Sequence, residues 1–162
     1  MKIGVVSDTH DQLPNVARIV ELLNRAGVER VVHTGDITQA KTLEVLARLD
    51  APLCGVFGNN DAGERAALEA AATRYAMTLC DPPLELVWAE RRIVVVHDPR
   101  DLGTAREAMH EVALHGHTHQ RAIERSGGRL VFNPGECAGH VAGQNAVGVL
   151  DLVTLETEIL SF

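Results

Sequence analysis

The stretch Ala113 to Gln120, ALHGHTHQ, carries His115, His117 and His119 at alternate positions. In an extended chain, side chains two residues apart share a face and lie about 6.5 Å from one another, so this spacing aims three imidazoles the same way. A single histidine is readily explained as a core residue with a hydrogen bond. Three in alternation point to a metal, although spacing alone fixes neither the ion nor the number of ions. The remaining ligands have to come from elsewhere in the chain.

Four other segments offer them. SDTH supplies Asp8 and His10, TGDIT supplies Asp36, GNND supplies Asn59, Asn60 and Asp61, and VVVHD supplies His97 and Asp98. Each follows directly on an apolar, β-branched run, so each is expected just beyond the carboxyl end of a strand. Polar loops are ordinary in isolation. Five of them at strand carboxyl ends converge on one crevice in an α/β sheet, which is where ligands bind. Gly35, Gly58 and Gly116 adjoin these residues and allow the sharp departures from strand geometry that turn side chains inward.

The elements that must position these residues follow from periodicity. KIGVVS reads as a buried strand. Pro14 then suits an early helical position, Val16, Ile19, Val20 and Leu23 give the i, i+3, i+4, i+7 stripe, and Gly27 closes the helix. RVVHT, a helix from about Gln39 to Leu49, PLCGVF and the alanine-rich ERAALEAAATRYA repeat the rhythm, which implies right-handed crossovers and a parallel sheet. In the second half LELVWA and RRIVVVH read as strands, Thr104 to Val112 as a helix, and AIERSGGRLVF and AVGVLDLVTLETEILSF as hairpins, the first turned at Gly127-Gly128. Parallel units followed by hairpins predict two sheets packed face to face with helices outside, an α/β sandwich spanning residues 1–162 as one domain.

The donors are carboxylates, imidazoles and an amide. Such mixed oxygen and nitrogen sets suit Mn, Fe, Zn, Co or Ni better than Ca or a structural zinc site. They exceed what one tetrahedral ion can use and suffice for two ions that share a carboxylate. Two ions about 3.5–4 Å apart form the arrangement that clamps the attacking and leaving oxygens in phosphoryl transfer.

The order D-x-H, GD, GN-x-D, a strand-terminal His and GHTH, running from Asp8 to His119 and reinforced by NPG at Asn133 to Gly135, resembles the metallophosphoesterases, or calcineurin-like phosphoesterases. The short length resembles their small prokaryotic phosphodiesterase branch. The resemblance implies a four-layer αββα sandwich with two mixed β-sheets and a phosphodiesterase, with phosphomonoesters as further substrates, acting through attack by a metal-bridging hydroxide. It also implies a metal at Asp8, His10 and His119, another at Asn59, His97 and His117, and Asp36 between them. Manganese is the first expectation for both ions, with Ni, Fe, Zn and Co as alternatives.

Asn60, Asp36 and Asp61 are the expected catalytic residues. The family often carries His, or Cys in its small branch, where this chain has Asn60. An amide can donate a hydrogen bond to a phosphate oxygen but cannot protonate a leaving group at neutral pH. Asp61 could accept a hydrogen bond from a neighbouring ligand or from Asn59, or simply cap its loop. Asp98 stands where glycine often follows the histidine; it either adds negative charge near the pocket or points to solvent. His33 reads as a packed or ligand-supporting residue, because Asp36 already fills the ligand role there. His115 reads as orienting a ligand or packing, His110 as solvated on its helix, and His140 as reaching substrate or simply exposed. Asn133 presents its side chain or backbone near the metals, or forms an ordinary Asn-Pro-Gly turn.

Composition narrows the partners. The net charge is −7, from 22 acidic and 15 basic residues, and aromatic residues make up 3%, which disfavours long nucleic acids for want of a basic patch and stacking platforms. A small phosphate ester is the expected substrate; homo-oligomers remain compatible. No run approaches 18 apolar residues, no signal peptide is read at the start, and the cytoplasm is the expected location. Cys54, Cys80 and Cys137 form no pair with metal or redox spacing and read as small buried residues. The alternative to an enzyme is a catalytically weak, metallophosphoesterase-like scaffold for protein binding, which would expose a large apolar patch.

Overall fold

The computed structural model describes residues 1–105 and 110–162. Its first half alternates strands and helices as the periodicity predicts: β1 (Lys2–Val6), α1 (Leu13–Ala26), β2 (Arg30–His33), α2 (Ala40–Leu46), β3 (Leu53–Val56), a 3-10 turn (Asn59–Glu64) and α3 (Arg65–Arg74). In α1, Pro14 lies in the first turn, Val16, Ile19, Val20 and Leu23 are buried, and Gly27 caps the end with φ 64°. There follow β4 (Thr78–Cys80), β5 (Leu84–Trp88), β6 (Arg91–Val95), α4 (Leu102–Ala105), β7 (Val112–Leu114), β8 (Ala122–Ser126), β9 (Arg129–Asn133), β10 (Ala146–Asp151) and β11 (Thr157–Ser161).

These strands form two mixed sheets. The first has six strands in the order β11-β10-β1-β2-β3-β4, and the second has five in the order β5-β6-β7-β9-β8. Strands β1 to β4 are mutually parallel, as are β6, β7 and β9, whereas the hairpins pair antiparallel. The sheets meet through Ile3, Val5, Val32 and Val56 on one side and Ile93, Val95, Leu114, Leu130 and Phe132 on the other, all buried. The far face of the first sheet takes the apolar stripes of α1, α2 and α3, with Ile19, Leu23, Leu43, Leu46 and Leu68 against Val6, Val31 and Leu53. On the far face of the second sheet, Leu102 of α4 packs on Val94 and Val96.

Two elements differ from expectation. The helix read from Thr104 to Val112 runs partly through 106–109, outside the described residues, but its end is corrected: Val112 opens β7. Here tertiary pairing outweighs local propensity, since Val112 to Leu114 lie between β6 and β9. His110 accordingly is not on a solvated helix; its side chain is 9% exposed and its Nε2 lies 3.5 Å from Glu85 Oε1. The short edge strand β4 was absent from the sequence reading, because Thr78 to Cys80 acquire strand geometry only by pairing with Cys54 to Val56.

The cysteines are free, and burial pushes the Cys54 thiol up to about 11 and the Cys137 thiol further still. Both therefore stay protonated, as packed residues rather than nucleophiles.

Candidate metal centre

The loops that follow β1, β2, β3, β6 and β7 bring Asp8, His10, Asp36, Asn59, His97, His117 and His119 together in two groups. In the first, His10 Nε2 lies 3.3 Å from His119 Nε2, 3.4 Å from Asp36 Oδ2 and 3.9 Å from Asp8 Oδ1, and His119 Nε2 lies 3.5 Å from Asp8 Oδ1. In the second, Asn59 Oδ1 lies 3.0 Å from both His97 Nε2 and His117 Nδ1, which are 3.2 Å apart, and His97 Nε2 lies 3.4 Å from Asp36 Oδ1. Asp36 therefore turns one oxygen to each group. Donors about 2.1 Å from a common ion in a tetrahedron are separated by about 3.4 Å, and these separations fall on that scale.

A buried orphan supports the metal fit. Asp8 is fully buried and its Oδ1, facing His10 and His119, has no hydrogen-bond partner among the described residues. Such an atom normally carries a desolvation penalty, which a cation removes. Its other oxygen accepts from the Ser7 hydroxyl and, at 3.1 Å, from the His117 amide. Burial raises the Asp8 pKa, against the lowering effect of Ser7 and the nearby histidines. At Asp36 burial also opposes ionisation, but His97 and the backbone and side-chain donors of Asn60 outweigh it and hold the carboxyl well below the usual range. Burial lowers the His10 pKa, whereas at His97 the Asp36 carboxylate overrides burial and raises it. A raised pKa at Asp8 means that a cation placed there would compete with a proton as pH falls.

The backbone that presents these ligands is not extended. Asp8, His10, Asp36, His117 and His119 have φ of 50°, 40°, 58°, 68° and 56°. The alternation in ALHGHTHQ therefore does not put three imidazoles on one strand face: β7 ends at Leu114, and left-handed turns aim His117 and His119 into different groups. His115 leaves the set. It is buried, with Nδ1 3.1 Å from the Gly116 carbonyl. Gly116 is required by close approach, since a Cβ there would collide with the Ser7 hydroxyl and the Asp8 carboxylate, and one at Gly58 would collide with Asp36.

A second ring of contacts fixes the ligand rings. The Thr34 carbonyl accepts from His97 Nδ1 at 2.9 Å, Glu136 Oε2 lies 3.3 Å from His119 Nδ1, and Asp98 Oδ2 lies 3.5 Å from His117 Nε2. Each outer partner leaves the opposite nitrogen facing the centre, the usual way of holding a metal-binding imidazole. Asp98 is thus turned to the site and not to open solvent, and Arg100 pairs with it. Sequence reasoning missed Glu136, fully buried; the only local signal was its place directly after the NPG turn. Asn133 clamps the histidine loop, donating to the Gly116 carbonyl at 3.2 Å and Thr118 Oγ1 at 3.3 Å and accepting from the Gly135 amide at 3.0 Å.

Asn60 donates twice to Asp36, through its backbone at 2.9 Å and its side chain at 2.7 Å. Asp61 is buried and accepts from the backbone N–H groups of Asp36 at 3.1 Å, Thr38 at 2.7 Å and Gly58 at 2.7 Å, so it ties the β2 and β3 loops together. His33 accepts from the Gly35 amide at 3.1 Å and its Nε2 lies 3.2 Å from Thr9 Oγ1; it supports the Asp36 loop and joins neither group.

Burial lowers His33 from 6.5 to about 3, which gives a stability prediction. The folded state excludes a proton that the unfolded chain binds below about pH 6.5, so stability is fully present above that value and falls with acidification towards pH 3. Within that window the slope from this group is about 1.4 kcal/mol per pH unit. Urea midpoints of metal-free protein at pH 7.5 and 5.0 test this. The His33→Gln variant should show a flatter profile, and an unchanged profile would contradict the assignment.

Beside the second group, a cavity of about 490 Å³ is lined by Phe57, Asn59, Arg65, Asp98, Arg100 and His117, among others. A cavity of about 570 Å³ on the far face of the second sheet, near Val94 and Leu130, includes none of the candidate ligands. The smaller cavity is the one that adjoins the candidate donors Asn59, His97 and His117.

The family model of the calcineurin-like phosphoesterase superfamily domain matches residues 1–155. Phosphodiesterase MJ0936 of Methanocaldococcus jannaschii is 35% identical over 155 residues, covering 93% of each chain. Phosphodiesterase YfcE of Escherichia coli is 26% identical over 169 residues, covering 93% of this chain and 88% of its own. A solved structure of an archaeal phosphodiesterase aligns over 100% of both chains with a TM-score of 0.92 and 32% identity.

Proposed function

The chain belongs to the calcineurin-like phosphoesterase superfamily, and from that premise we propose that it is a phosphodiesterase that works with two divalent cations. The observation that carries the reading is the Asp36 carboxylate, with Oδ2 3.4 Å from His10 and Oδ1 3.4 Å from His97. Asp8, His10 and His119 hold one ion, Asn59, His97 and His117 hold the other, and Asp36 serves both. Manganese is the proposed pair, on a donor set that also accepts nickel, iron, zinc or cobalt. The domain is taken as residues 1–162 and the site of action as the cytoplasm; no helix is long and apolar enough to cross a membrane.

Such ions supply a hydroxide nucleophile near neutral pH and offset charge on the phosphoryl oxygens. The chain's own groups do the positioning. Glu136, Thr34 and Asp98 hold three imidazoles in place, Asp61 sets the distance between the β2 and β3 loops, and the cavity beside His117 receives the ester's organic portion. The size of that cavity and the acidic balance of the chain support a small phosphate ester over a long nucleic acid. Asn60 directs its amide to Asp36, so it fixes the shared carboxylate and offers no proton to a leaving alkoxide.

This makes a substrate ranking testable. Protonation of a leaving group contributes about 10²–10⁴-fold, so an activated aryl phosphodiester should be turned over at least about 100-fold faster than an alkyl phosphomonoester. Metal analysis of purified protein followed by parallel assays with added Mn²⁺ checks both halves. Two ions per chain with aryl diesterase activity is the expected result; equal or faster alkyl monoester turnover contradicts the role given to Asn60. Two bound ions without turnover of any ester would favour the scaffold reading.

A further inference from the structure

One imidazole beside the first group is not used by this reading. His140, in the loop between β9 and β10, has its ring centroid 5.0 Å from that of His10 and 5.4 Å from that of His119, which are themselves 5.1 Å apart. One nitrogen from each of the three rings lies within 4.8 Å of the others. No hydrogen bond from another described residue engages the His140 ring, so no other polar contact accounts for its placement.

The loop that carries it is built around the site. Glu136 accepts from the Val141 amide at 2.8 Å through Oε1 and from the Ala138 amide at 3.0 Å through Oε2, while Oε2 also lies 3.3 Å from His119 Nδ1. One buried carboxylate thus orients His119 and fixes the residues on both sides of His140. The Cys137 amide donates to the Asp8 carbonyl at 3.2 Å, and Asn15 Nδ2 donates to the Cys137 carbonyl at 2.7 Å. The loop is therefore tied to the same segment that presents Asp8 and His10.

We propose that His140, whose exposed ring groups with His10 and His119, would serve as a further ligand to a cation held by Asp8, His10 and His119. The carboxylates of Asp8 and Asp36 form a donor group with His10 and His119, and His140 forms a separate one with the same two imidazoles. A third imidazole shifts the donor balance from oxygen towards nitrogen. That shift favours zinc, nickel and cobalt over manganese at this ion, relative to its partner.

The proposal rests on the two-ion reading, and the experiment separates the two. Metal-free wild-type, His140→Ala and His119→Ala proteins are titrated with Zn²⁺, Mn²⁺ and Co²⁺ by calorimetry, with the visible Co²⁺ spectrum recorded in parallel. Circular dichroism confirms the fold, which an exposed side chain should not disturb. His140→Ala should weaken one of the two ions on the order of 10- to 100-fold, the range for contacts that support a bound metal. It should also reduce the zinc-to-manganese affinity ratio at that ion and alter one component of the Co²⁺ spectrum. If His119→Ala loses one ion but His140→Ala matches wild type in affinity and spectrum, His140 is not a ligand and the two-ion reading stands. If wild type itself binds fewer than two ions, the two-ion reading is overturned; if it binds two and His119→Ala still binds both with wild-type affinity, the ligand set around His10 and His119, and His140 with it, is overturned.

Discussion

The Asp36→Ala variant is expected to lose both cations together and to fall in activity by about 10³-fold or more, an electrostatic loss larger than that of a single oxyanion donor. Its side chain faces His10 with one oxygen and His97 with the other, and no other residue in the set has this double contact. A collapsed loop would be a trivial route to the same loss; the carboxylate does accept from the Asn60 amide, but three other backbone bonds that hold the loop do not involve it. The Asp36 amide donates to Asp61, the Asp36 carbonyl accepts from the His10 amide, and the Asp8 amide donates to the Gly35 carbonyl. The comparison with His119→Ala is decisive: that variant should lose one ion and keep the other. Elemental analysis of the purified Asp36→Ala protein gives the answer, and one full metal equivalent retained would refute a shared ligand.

Asp61→Ala should produce the largest loss of stability among these variants, about 3 kcal/mol, together with a large fall in metal affinity. Three backbone N–H groups converge on its two oxygens, and leaving a buried donor without a partner costs about 1–3 kcal/mol each before water repairs part of it. Burial raises the Asp61 pKa, while the Gly58 and Thr38 amides pull it back towards ionisation, so the carboxyl is held in place by those same donors. Asp61→Asn keeps the shape but substitutes an NH₂ group for one acceptor, and should fall between wild type and alanine. Urea denaturation of the metal-free proteins measures the first effect and metal titration the second. A loss under about 1 kcal/mol with unchanged metal affinity would show that the loops are held by other contacts.

Much of this arrangement was legible in the sequence because its determinants are local. Apolar runs ended by Asp8, Asp36, Asn59 and His97 announce strands with metal-capable side chains at their carboxyl ends, and the stripe from Val16 to Leu23 announces the helix behind them. The hairpin turned at Gly127-Gly128 is local in the same sense. What was not legible depends on partners far along the chain. Val112 to Leu114 become a strand because β6 and β9 flank them. Glu136 acquires its part by reaching His119, 17 residues away. His117 and His119 face different groups because their backbones leave the extended region, which an alternating pattern cannot reveal.

Asp8, His10, Asp36, His117 and His119 all sit in a backbone conformation that side chains with branched or bulky β-carbons resist, and that aspartate, asparagine and histidine tolerate better than most. The loops thus filter for residue type before any cation arrives, and the types they admit overlap with those that can bind one. Glycine at these five positions would ease the backbone, but at the cost of unfolded-chain entropy and, at Asp8 and Asp36, of the hydrogen bonds their carboxylates accept. Each such exchange would also delete a donor. Efforts to harden this fold against heat would therefore meet opposed selection at this rim, and belong on the helices and hairpins behind it.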